Sequence, residues 1–161
     1  MTNSPATRYW GTLVASLAVC FGAAALGGLV TATSVDGWYR TLARPAFNPP
    51  DWIFAPVWNI LFLLMAVAAW RVATRATGAR RRAALALFAL QLAANVLWSV
   101  LFFGLQSPAW ALADIVVLAT LVVATARAFW HIDRVAGALL VPYAAWVGFA
   151  VVLNAAIWWL N

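Results

Sequence analysis

The chain has 161 residues, of which 66% are hydrophobic and only 9% charged. A soluble domain of this length carries about 45–50% apolar residues and cannot hide so large an apolar excess, so lipid is the solvent for much of it. The single cysteine, Cys20, excludes a disulfide scaffold. The absence of lysine excludes Schiff-base chemistry.

The uncharged runs predict an all-α membrane protein with a five-transmembrane-helix bundle in a single domain, 1–161. In chain order the expected helices are 9–31, 52–75, 82–105, 108–129 and 135–159, with no strands. The first run is too long for a cleaved signal segment and reads as a retained helix. Small residues at four-residue spacing, Ala23/Gly27 and Ala24/Gly28, suit it to close packing inside the bundle.

The segment 32–51 is too polar to span. Asp36-Gly37-Trp38-Tyr39 suits one helical turn, and Pro45, Pro49 and Pro50 stiffen the rest, so it reads as a long ordered loop, a lid. The third and fourth helices are separated at Gln106-Ser107-Pro108, a turn signal with proline placed for a new first turn. Ala89/Ala93 on the third helix mark a homodimer interface.

The formal charge of +6 follows membrane topology rather than nucleic acid, because the arginines sit at the ends of apolar runs. Arg8, Arg71, Arg75, Arg80, Arg81, Arg82, Arg127 and Arg134 share one side, against Arg40 and Arg44 on the other. The expected N-terminus is therefore cytoplasmic.

Among the 11 tryptophans, Trp10, Trp38, Trp70, Trp130, Trp158 and Trp159 fall near span ends and fit an aromatic belt. Trp98 and Trp146, deeper in their helices, fit that belt less well, and Trp52, Trp58 and Trp110 lie toward the outer ends, under the lid; these five are candidates for a ligand pocket. Gln91, Asn95 and Ser99 recur every four residues on one helix face, beside Trp98. Tyr143, Trp146, Ala150 and Asn154 form a second stripe. Unpaired polar groups facing lipid are costly, so both faces should point inward, as interhelical glue or as pocket walls. Asp114, one turn from Trp110, is the only acid expected at membrane depth. A pump needs several ionisable groups in series, and no second one is evident. One histidine, His131, and one cysteine cannot build a zinc or iron–sulfur site, so no metal is expected. A metal-free planar ligand stacked on indoles fits the composition better.

Trp38-Tyr39, Arg44-Pro45-Ala46-Phe47-Asn48-Pro49-Pro50, Phe54 and Val57-Trp58 are followed by Gln91-Leu92-Ala93 with Asn95 and Trp98, then Phe102-Phe103-Gly104. Next come Trp110-Ala111-Leu112 with Asp114, Pro142-Tyr143 with Ala145-Trp146, and Phe149-Ala150 with Leu153-Asn154. In this order the set resembles the TspO/MBR family of tryptophan-rich sensory and translocator proteins, once called peripheral-type benzodiazepine receptors.

The resemblance implies a five-helix bundle, often dimeric, whose pocket is capped by the first loop. It implies porphyrins such as protoporphyrin IX, sterols or benzodiazepine-type molecules as ligands, with no required cofactor. Position by position it implies a pocket of Trp52, Trp58, Asn95, Trp98, Trp110, Asp114, Trp146, Ala150 and Leu153, with Trp38, Tyr39 and Phe47 from the lid. The function implied is a tetrapyrrole-binding sensor or carrier rather than an enzyme. The alternative is light- and oxygen-dependent porphyrin degradation with Trp58 and Trp146 as catalytic residues. The chain departs from the family at Phe47, where tryptophan is usual. It also departs after Leu153-Asn154, where the sterol-recognition segment of mitochondrial members needs a tyrosine and a basic residue.

Overall fold

The computed structural model describes residues 5–161, with side chains from Tyr9 onward, so the expected charge at Arg8 lies outside the described side chains. Five apolar segments are long enough to cross a membrane, and no strand occurs among the described residues. The protein is an all-helical, multi-pass integral membrane protein. Its helices are α1 (Pro5–Ala32), α2 (Trp38–Thr41), α3 (Phe54–Arg75), α4 (Gly78–Ser99), α5 (Pro108–Trp130), α6 (Arg134–Leu139) and α7 (Val141–Leu160).

The helices follow the expected runs, with three differences. Helix α4 begins at Gly78 rather than 82, so Arg80, Arg81 and Arg82 lie within its first two turns. Long arginine stems reach the interface from inside a helix, so the charge run does not mark its start. Second, α4 passes into a π-helical turn at Val100–Gly104, where the Leu105 N–H reaches the Val100 carbonyl at 2.8 Å. Third, the last span is split at Leu140 into the stub α6 and the long α7. Pro142 lies in the first turn of α7, where its missing N–H costs nothing.

Packing arranges the spans as a ring. Helix α1 lies on α3 and α4, α5 lies on α4 and α7, and α6 wedges against α5 and α3. Cys20, Met65, Ala66, Ala68, Val72, Phe129 and Tyr143 are fully or almost fully buried along this ring. Small residues on α1 and α3 let the backbones approach, the usual source of helix association in lipid. Gly137 shows the limit of approach, because a Cβ there would sit 2.7 Å from the Trp130 Cα.

Polar ties close the arginine-rich end. Asp133 caps α6 by accepting from the backbone N–H of Val135 (2.9 Å) and Ala136 (3.4 Å). The same carboxylate accepts from Arg71 Nε at 2.9 Å and Nη2 at 3.1 Å, and from Arg75. Burial alone would raise the Asp133 pKa, but the donors from Arg71, Ala136, Arg75 and Val135 outweigh it and pull the value down to about 2.

The lid closes the other end. Its short helix α2 is the turn expected at Asp36–Tyr39, shifted to Trp38–Thr41. Ser34 Oγ donates to the Phe103 carbonyl at 2.7 Å, one of the acceptors in the π-turn. Arg44 pairs with Asp51 at 3.0 Å and lies 5.2 Å from the Tyr39 ring centroid. At the far edge Asn161 makes two bonds to one lid residue: Ala43 N–H donates to its Oδ1, and its Nδ2 donates to the Ala43 carbonyl, each at 3.0 Å.

Candidate functional site: a cavity beneath the lid

Under the lid the spans enclose a cavity of about 480 Å³. Its volume falls within the range of roughly 300–1,000 Å³ typical of small-molecule sites. One wall is Ala23, Ala24, Gly27 and Gly28 of α1. A Cβ at Gly27 would approach Ser99 Oγ of α4 to 3.2 Å, so the glycine keeps that wall thin. Ala55 and Asn59 of α3, with Gly28 of α1, line the cavity while remaining exposed, and form its rim between these two helices.

The aromatic walls come from α3, α4 and α7. Trp58 lies tilted to Phe62 at 5.7 Å and edge-on to Tyr143 at 6.2 Å. Trp146 packs against Phe54 (5.9 Å) and Phe149 (5.6 Å). Trp98 stacks on Phe102 at 5.1 Å, and Phe102 meets Trp38 and Tyr39 of α2 edge-on. The π-turn therefore presents the aromatic platform on which the lid sits.

The polar groups are held by one another. Trp98 Nε1 donates to Asn154 Oδ1 at 3.0 Å, and Asn154 Nδ2 donates to the Pro108 carbonyl at 2.8 Å. This relay ties α4 to α7 and α7 to the start of α5. Asn95 Nδ2 donates to the buried Tyr143 hydroxyl at 3.1 Å. The indole N–H groups of Trp58 and Trp146, in contrast, donate to no group among the described residues. Both are free donors on the cavity wall.

Seven of the residues singled out from sequence meet on this cavity: Tyr39, Trp58, Asn95, Trp98, Trp146, Ala150 and Leu153. Five do not. Trp52 is 73% exposed in a 3-10 turn at Asp51–Ile53, and Trp110 is 69% exposed in the first turn of α5. Both indoles point out of the bundle at the lid end. Phe47 is half exposed and touches Phe149 edge-on at 6.4 Å, outside the wall. Trp38 supports the cavity from behind Phe102. Asp114 is half-buried off the cavity, and its Oδ2 is closed to solvent without a hydrogen-bond partner among the described residues. Of the two polar stripes, Asn95 and Ser99 of the first and Trp146, Ala150 and Asn154 of the second reach the cavity, whereas Gln91 is buried away from it with Nε2 3.8 Å from Met65 Sδ. Sequence reasoning missed the α1 wall and Asn59. The small-residue spacing on α1 was the available signal, but it is equally the signal of helix packing.

The chain matches the TspO/MBR family over residues 16–160. It is 42% identical over 153 residues to the tryptophan-rich protein TspO of Chlorobaculum tepidum, covering 93% of this chain and 96% of that protein. It is 41% identical over 145 residues to the tryptophan-rich sensory protein of Cereibacter sphaeroides, covering 90% and 88%. To the translocator protein of Homo sapiens it is 34% identical over 142 residues, covering 84% of each. A lidded five-span bundle and relatives of this similarity along almost its whole length make the chain a member of the TspO/MBR family.

Proposed function

We propose that the cavity binds a flat, largely apolar molecule of the porphyrin class, and that the protein acts as a membrane sensor or carrier for it. The supporting observation is the pair Trp58 and Trp146: both line the cavity, and both keep an unpaired N–H. An indole face favours a π-system by roughly 0.5–1.5 kcal/mol beyond area burial, and its N–H is available for a peripheral polar group such as a propionate. The small side chains of the α1 wall leave the space between the spans to the ligand. Sterols and benzodiazepine-type molecules share the apolar, ring-rich character and are candidate ligands of the same cavity.

The test is titration of the purified protein with protoporphyrin IX, first in the dark and then under illumination. Trp58→Phe and Trp146→Phe keep most of the apolar volume but remove the donor and the readily oxidised ring. Affinity should fall by about threefold to tenfold in each, since 1.4 kcal/mol is a factor of ten. Trp10→Phe, 62% exposed and far from the cavity wall, is the control. Porphyrin recovered unchanged after illumination supports sensing or carriage. A bilin-like product that both variants lose supports the enzymatic alternative. Unaltered binding and bleaching in both variants would show that the ligand lies elsewhere.

A further inference from the structure

A second, smaller slot lies at the opposite end of the molecule from the lid. It has a volume of about 210 Å³ and runs between the end of α5 and the junction of α6 with α7. Gly137 causes it. The close approach of Gly137 to the Trp130 backbone draws α6 onto α5, and the helix is interrupted at Leu140 before α7 begins. Val123 and Ala126 form one wall, Val141 and Ala144 the other. Val123, Trp130 and Val141 are exposed, so the slot opens on the outer, lipid-facing surface of the bundle.

Arg127 stands at the end of this apolar slot. It is exposed, and no carboxylate pairs with it among the described residues. The chain has four acids in all: Asp36 and Asp51 in the lid, Asp114 in α5, and Asp133. Asp133 is therefore the only one at this end, and Arg71 and Arg75 occupy it. Arg80 is turned to the His131 carbonyl and Arg81 to the Ala73 carbonyl, neither of which cancels a charge. The slot thus joins an apolar groove facing hydrocarbon to an unneutralised guanidinium beside an exposed indole. An arginine fork matches a phosphate, and an indole settles at headgroup depth.

We propose that this slot is a binding site for a phospholipid with a net anionic headgroup. The phosphate sits on Arg127, the headgroup region against Trp130, and the upper part of one acyl chain between Val123 and Ala126 on one side and Val141 and Ala144 on the other. Arg127 and Val123 are one helical turn apart, so the slot reaches about 6 Å below the phosphate. Zwitterionic headgroups gain less, because no free carboxylate at this end receives their ammonium. The site is separate from the cavity beneath the lid.

Native mass spectrometry of the intact protein released from detergent tests this. The probes are phosphatidylglycerol and phosphatidylcholine with identical acyl chains. One phosphatidylglycerol adduct should resist collisional removal at energies that strip phosphatidylcholine. Arg127→Gln should weaken that adduct about fivefold, the contribution of one basic side chain at an anionic surface. Ala144→Trp fills the slot with the charge intact and should remove the adduct. Arg82→Gln, an exposed arginine outside the slot, should leave it unchanged. A helical circular-dichroism spectrum and melting point unchanged from the parent certify that each variant is folded. Equal retention of the two lipids would overturn the proposal. So would equal losses in Arg127→Gln and Arg82→Gln, which would mean a diffuse field, or displacement of the adduct by glycerol phosphate, which would mean a site for soluble phosphate.

Discussion

Replacing Asp133 separates charge from capping at the arginine-rich end. The carboxylate is 5% exposed, caps α6, and holds Arg71 and Arg75. Its pKa falls from the ordinary 3.8 to about 2 on folding. At 1.36 kcal/mol per unit, the ionised form contributes roughly 2–3 kcal/mol at neutral pH. Asp133→Asn keeps an oxygen for the α6 cap and loses this contribution. Asp133→Ala loses the cap as well, a further ~1 kcal/mol. For a chain of this size 1 kcal/mol moves the midpoint by about 2–4 °C, so Asp133→Asn should melt about 5–10 °C below the parent and Asp133→Ala lower still. Because the folded pKa is depressed, the advantage is complete above the unfolded value near 4 and disappears as pH falls toward 2. Thermal unfolding followed by circular dichroism, in a non-ionic detergent from pH 7 to pH 3, should show the parent converging on Asp133→Asn below pH 4. A parent no more stable than Asp133→Asn at pH 7, or a gap that does not narrow in acid, would refute the assignment of stability to these ion pairs.

Asn161→Ala removes both bonds to Ala43 and should speed ligand dissociation several-fold with little change in melting, measured by stopped-flow displacement of bound porphyrin. Asn154→Leu leaves the Trp98 N–H without its acceptor near the cavity, while the Pro108 carbonyl keeps its bond within α5, and should cost about 1–3 kcal/mol, visible as a lower melting point and weaker ligand binding. Reporter fusions at residue 161 and in the 76–82 segment should give opposite signals, with the latter cytoplasmic if the arginine distribution sets the orientation; an exported 76–82 segment would reverse it. A homodimer through α4 should give a crosslinked band from a cysteine at Ala89 in a Cys20→Ala background, because Ala89, Leu90, Ala93 and Leu97 form an exposed stripe on that helix.

Hydropathy sees length and solvent, so the five spans and the lid were legible in the sequence, and Pro108 marked the start of α5 within one residue. It does not see the backbone register inside an apolar run. The π-turn at Val100–Gly104 is made of residues that an α-helix accepts equally well, and only the packing of Phe102 and Phe103 under the lid reveals why the extra residue is there. The site was legible where an aromatic residue shared a helix face with a polar one, as in Trp98 with Asn95. It was not legible for Trp52 and Trp110. Both lie near span ends, and a sequence position within a helix turn does not say whether a side chain faces inward or outward until the neighbouring helices are placed. The α1 wall was obscured for the opposite reason: glycine and alanine permit close packing and also leave space.

The pair of hydrogen bonds between Asn161 and Ala43 joins residues 118 positions apart. During synthesis the lid emerges before α3, α4, α5 and α7, and its outer latch exists only once the final turn of α7 has been made. Ser34 likewise waits for the Phe103 carbonyl, 69 residues downstream. Neither the cavity walls of α7 nor the outer latch of the lid exists before α7 is made, so latching of the lid reports that the last span is in place. A chain truncated or stalled within α7 would leave the aromatic platform of Trp98 and Phe102 without its relay to Asn154, an exposed apolar surface of the kind that drives misassembly.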